Sequence, residues 1–181
     1  VLADYYRILE QSDKAIAAID RALVAAPEHE PALLRRAEYL HDGQDTTEDT
    51  RKESWDIVEK VLQKNPRSSL GHFTEGKFHL LEGAYEKATN SLRRVLDDQP
   101  SANAHVLMGN AYQRMEQPDL ARSEFQSALQ LDAQNLHARV SLAGLYLGTG
   151  ENELAVREAR TSLRLAPGDA RARMILATGL T

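Results

Sequence analysis

The feature that most constrains this chain is a period. Pro27, Pro66, Pro100 and Pro167 each close a run of helical composition, and they stand 39, 34 and 67 residues apart, with Ala133 dividing the last interval into 33 and 34. Two other columns keep this register without proline. Ala3, Ala37, Gly76, Gly109, Ala143 and Ala177 are all small, and so are Ala15, Ser54, Ala88, Ala121 and Ala155. Self-similarity at a period of about 20–50 residues marks an array of small units, none of which can bury its apolar face without its neighbours.

Each period reads as one helical hairpin. Antiparallel helices approach closely only where a side chain is small, and larger side chains then interlock around the crossing. The large column is Ile19, Val58, Leu92, Phe125 and Ala159, four residues beyond each member of the second small column and so on the same helical face. The pattern predicts helices at 1–10, 13–25, 30–41, 47–64, 68–81, 84–97, 101–115, 118–131, 135–148, 151–164 and 169–180. The expected hairpin turns are Asp42-Gly43, Gly83, Gln117-Pro118 and Gly148-Thr149-Gly150, and Asp169 is the expected cap of the last helix. Five extra residues fall between Ala37 and Ser54, in the polar stretch from Gly43 to Asp49, and predict a lengthened second helix in that hairpin.

At these residues the chain resembles the tetratricopeptide repeat family, whose pattern sets a large residue, Leu-Gly, Tyr, Ala, Phe and Pro within about 34 residues. Met108-Gly109, Tyr112, Ala121 and Phe125 follow it well, as do Leu142-Ala143, Tyr146, Ala155 and Pro167, and Leu2-Ala3, Tyr6, Ala15, Ile19 and Pro27. The resemblance implies an all-α, right-handed superhelical solenoid of about five antiparallel hairpins plus one terminal helix. It gives a single array over 1–181, with repeats at 1–29, 30–68, 69–101, 102–135, 136–169 and a partial one at 170–181. Both ends cut a repeat, which predicts a portion excised from a longer protein.

Composition removes whole classes of function. Cysteine is absent, so disulfides, thiolate nucleophiles and sulfur-based zinc sites are excluded. The 22 basic and 27 acidic residues give a net charge of −5, with no basic run to serve nucleic acid. No apolar stretch is long enough to span a bilayer. Phosphate-binding glycine loops, nucleophile elbows and paired metal-binding histidines at i, i+4 are missing, which predicts a non-enzyme without cofactors.

One polar constellation has the residue types of a ligand set. His72, Glu75, His79 and Glu82 stripe one helical face, as the ligands of a metal or a proton relay would, but His72 and His79 lie two turns apart. Ion pairing at helix edges, for instance between Glu75 and Arg36, is the favoured reading of the stripe. Tyr6, Tyr112 and Tyr146 form an aromatic column with no basic interleaving and are expected in the core. Trp55 is expected to pack beneath the insertion, with an exposed binding hot spot as its alternative.

In the resembled family the first helices of successive hairpins line a concave surface where partners dock. Carried over, the resemblance implies a protein–protein interaction scaffold. The residue three before the first small column gives an apolar row, Leu34, Phe73, Val106, Val140 and Met174; the residue after that column gives Glu38, Lys77, Asn110, Gly144 and Thr178. The expected partner-binding residues are Leu34, Glu38, Phe73, Lys77, Val106, Asn110, Val140 and Met174, and the expected partner is a protein or peptide. Two alternatives stand beside it: a helical-repeat RNA-binding module, which the apolar row and negative charge disfavour, and a spacer array that self-associates through its cut ends. Some family members hold acidic carboxy-terminal tails of chaperones with a clamp of Lys, Asn, Asn, Lys and Arg. The corresponding residues here are Val106, Asn110, Ser141, Arg171 and Ile175.

Overall fold

A computed structural model describes residues 12–43 and 46–180. The first expected helix, with Ala3 and Tyr6, lies outside the described residues, as do Gln44, Asp45 and Thr181. Ten α-helices make up the described chain: α1 Ser12–Ala25, α2 Glu30–Asp42, α3 Glu48–Lys64, α4 Ser69–Leu81, α5 Tyr85–Asp98, α6 Ala102–Arg114, α7 Pro118–Leu131, α8 Leu136–Gly148, α9 Asn152–Leu165 and α10 Ala170–Gly179. Among the described residues there is no strand. Each described helix begins and ends within one residue of the sequence expectation. The lengthened second helix is α3, with 17 residues against 14 in α5, α7 and α9.

The chain forms two compact units, residues 1–78 and 79–181. In the first, α1 packs on α2 and α2 on α3. Its crossings are the small columns: Ala15, Ala37 and Ser54 are 0% exposed, with Ile19 and Val58 buried beside them. Phe78 is fully buried, its ring stacked on His41 at 3.8 Å and met edge-on by Trp55 at 5.4 Å. Ser54 donates to the Arg51 carbonyl, so the short contact with His41 Nδ1 makes that nitrogen the donor to Ser54 Oγ. Trp55 therefore packs, as the favoured reading had it.

In the second unit, antiparallel pairs α6–α7 and α8–α9 stack with α5 and α10, and the first helices α6, α8 and α10 lie side by side. Ala88, Ala121, Ala143 and Ala155 are 0% exposed. Gly109 shows why its column must be small. A Cβ added there would lie 2.5 Å from a ring carbon of Phe125, itself fully buried. Tyr146 belongs to this core and Tyr112 packs against it, which places both where the aromatic column was expected.

A further column, of helix caps, runs through the structure, and of its members only Asp169 was expected from the sequence. His29, Ser68, Ser101, Asn135 and Asp169 stand at matching positions, and each side chain accepts from the backbone N–H three residues on, over 3.3, 2.7, 3.2, 2.9 and 2.7 Å. Thr47 caps α3 in a reciprocal box with Thr50. The turns into the second helices repeat as well. Gly83, Glu116 and Gly150 occupy the left-handed region at φ of 77°, 58° and 79°, so Glu116 sits where its neighbours in register use glycine.

Candidate partner-binding surface

The first helices carry the residues expected to meet a partner, and the fold sorts them into two groups. Leu34, Val106 and Val140 are 2%, 6% and 3% exposed and belong to the packed cores. They cannot act as exposed apolar anchors. A residue three before a crossing shares the crossing's helical face, and that face is covered by the second helix. Phe73 is half-buried, and Met174 is 63% exposed on α10, where Ala177 of the small column is exposed too.

The polar members remain partly accessible. In the first unit Glu38 stands between two cations, Arg35 at 3.3 Å and Lys77 at 3.5 Å. In the second unit the Ser141 hydroxyl donates to Asn110 Oδ1 over 3.4 Å. That contact orients the Asn110 carboxamide and leaves its two Nδ2 protons as the group's donors to anything laid along α6 and α8.

The stripe from His72 to Glu82 is better explained by structure than by ligand chemistry. His72 Nε2 donates to the Pro66 carbonyl at 3.0 Å, six residues back, while Nδ1 faces Glu75 at 3.2 Å. Arg139 and Arg173 occupy the same column and bond the carbonyls of Ala133 and Pro167, again six residues back, at 2.7 and 2.6 Å. At these three positions the column is thus a strap that ties the start of α4, α8 and α10 to the preceding turn. Among the described residues no three His, Asp or Glu side chains converge to hold a metal ion.

Arg36 does not take Glu75 as its partner. It bridges Asp20 on α1 at 2.8 Å and Glu53 on α3 at 2.7 Å, across both helices packed on α2. Burial pulls the Arg36 guanidinium's pKa down, but the hydrogen bonds to Glu53 and Asp20 outweigh it and leave the group above its ordinary value. In the second unit Arg139 pairs with Glu158 at 2.7 Å, His105 with Glu124 at 2.6 Å, and Arg122 with Glu151 while lying over the Tyr146 ring. These bonds hold hairpins together. Among the described residues no helix is long and apolar enough to cross a membrane.

Tandem antiparallel hairpins on one 34-residue register, crossing at small residues, define a helical-repeat protein. Residues 112–178 match the Tetratricopeptide repeat family, and the fold is of the tetratricopeptide-repeat type. A thermophilic tetratricopeptide repeat protein of Thermus thermophilus superposes with a TM-score of 0.80 at 22% identity, covering 99% of this chain and 95% of that one. YrrB, described as a tetratricopeptide repeat protein with an unusual peptide-binding site, gives a TM-score of 0.64 at 17% identity over 90% of this chain and 81% of its own. In sequence the chain is also similar to a protein O-mannosyl-transferase of Caenorhabditis elegans, 30% identical over 91 residues, which are 50% of this chain but only 13% of that relative. Arrays of this class are in general non-catalytic scaffolds for protein interaction.

Proposed function

We propose that this chain, read as one array of repeats, holds a peptide or protein segment along its first helices. The observation that carries the reading is Asn110: a carboxamide oriented by Ser141, partly open, with its donors unspent among the described residues, on a helix whose in-register neighbours lie directly beside it. Such a group suits the carbonyl of an extended peptide. Met174 on α10 offers exposed apolar contact in the same unit. In the first unit Phe73 supplies the apolar contact, and Glu38 with Lys77 supplies polar ones. Leu34, Val106 and Val140 contribute from below, as the packed floor that keeps these helices in place. The peptide-binding site named for YrrB supports the reading, since the two share a fold.

A pull-down from the cell of origin, followed by isothermal titration with the peptide it identifies, tests the proposal. Asn110→Ala and Phe73→Glu are expected to weaken or abolish binding while leaving the helical circular-dichroism signal unchanged. Full affinity in both variants would overturn it.

A further inference from the structure

Two members of the strap column make no strap: His105 on α6, which pairs with Glu124 instead, and Leu33 on α2. Leu33, in register with His72, Arg139 and Arg173, stands six residues after Pro27. Leucine cannot reach back and donate, and no hydrogen bond to the Pro27 carbonyl exists among the described residues. At this spot the structure opens a cavity of about 430 Å³ lined by Pro27, Glu28, Glu30, Leu33, Lys60, Val61, Lys64 and Asn65. Its size is that of a small-ligand site.

We propose that this pocket receives an arginine side chain from a partner, which supplies in trans the strap that the chain lacks here. The sister repeats display the chemistry on the same backbone frame: the guanidinium of Arg139 or Arg173 donates to the carbonyl six residues back. In the pocket the equivalent acceptor is the Pro27 carbonyl. Beside it stands Glu28, whose Oε2 is held by Lys64, leaving Oε1 to accept a second guanidinium proton. Glu30 is already spent on Ser68 and Asn65. The apolar stem of an arginine would lie along Leu33 and Val61. The Glu28–Lys64 pair is a surface one, 78% and 62% exposed, so it yields readily to a competitor. Lys60 also lines the pocket but is exposed, so water and salt screen its charge.

The test is an NMR titration of the full chain with N-acetyl-arginine amide, N-acetyl-lysine amide and N-acetyl-norleucine amide. The expected result is saturable shifts confined to residues around Pro27, Leu33 and Val61 for the arginine probe. The lysine probe, without a planar fork, should bind about threefold or more weakly, and norleucine should not saturate. Leu33→Arg supplies the strap from within the chain and should eliminate binding while the helical circular-dichroism signal is retained. Glu28→Gln, which leaves the core untouched, should weaken the arginine probe about threefold or more. Absence of saturable shifts, equal binding of norleucine, or undiminished binding to both variants would overturn the proposal.

Discussion

Gly109 is the position where the packing argument can be broken most cleanly. Its substitution by alanine places a Cβ 2.5, 2.7 and 2.9 Å from three carbons of the Phe125 ring, where ordinary carbon contacts lie at about 3.5–4.0 Å. The ring is fully buried and has no open side to turn toward. Alanine in a helix interior gains up to about 1 kcal/mol over glycine, whereas overpacking a tight core costs about 1–3 kcal/mol. The clash wins, for a net loss of about 1–2 kcal/mol, or a few degrees in melting temperature for a chain of this length. Gly144 is the internal control, because its added Cβ would meet only Ile175 Cδ1, at an unstrained 3.8 Å. Gly144→Ala should therefore stabilise by about 0.5–1 kcal/mol. Urea unfolding followed at 222 nm compares the two, and Phe125→Leu in the Gly109→Ala background should recover part of the loss. If Gly109→Ala proves as stable as Gly144→Ala, the close-crossing account of the small column is wrong.

Three more substitutions probe particular contacts. Glu116→Gly should stabilise by about 1 kcal/mol, because it removes a non-glycine residue from φ of 58° at a turn where Gly83 and Gly150 hold the same conformation; differential scanning calorimetry reads it. Arg139→Ala leaves Glu158, 8% exposed, with only the outer Arg157 contact, and should cost about 2–3 kcal/mol in a urea midpoint analysis. The Glu28 carboxyl is held below its ordinary 4.5 by the Lys64 hydrogen bond and charge. A depressed carboxyl contributes stability above its unfolded pKa and loses it as pH falls through the folded one. Carbon-detected NMR should accordingly find Glu28 titrating below 4.5, and returning toward that value in Lys64→Met.

Helix boundaries were legible because punctuation and packing repeat together: a proline or alanine after each second helix, a small residue at each crossing. The strap column and, apart from Asp169, the cap column were not, although each has the same period. Their members do one job with different residue types, His and Arg in one, His, Ser, Asn and Asp in the other, so identity hides a shared hydrogen bond. The apolar row was legible as a row but not as a location. Leu34, Val106 and Val140 sit three residues before residues that are themselves buried at a crossing, and one helical face cannot both cover a core and present itself to a ligand. The polar row one residue beyond the crossing does reach the surface, since a step of one residue turns the side chain about 100° away.

That sorting of faces decides which ligand the second unit refuses. A clamp for an acidic carboxy-terminal tail needs five donors, and the matching positions hold Val106, Asn110, Ser141, Arg171 and Ile175. Val106 and Ile175 are apolar and 6% and 4% exposed, so they offer nothing to a carboxylate and could not be reached by one. Ser141 is 7% exposed and its proton already goes to Asn110. Asn110 and exposed Arg171 are left. Each missing charge-assisted bond forfeits about 1.5–3 kcal/mol, and three of them forfeit at least a thousandfold in affinity at about 1.4 kcal/mol per tenfold. A short acidic peptide with a free carboxy terminus should then bind this unit no better than its amidated form, by fluorescence anisotropy. The same peptide should be indifferent to Asn110→Ala. Tight binding that needs the free carboxylate and disappears in Asn110→Ala would refute the assignment of faces, because it would require donors to approach from positions that the structure buries.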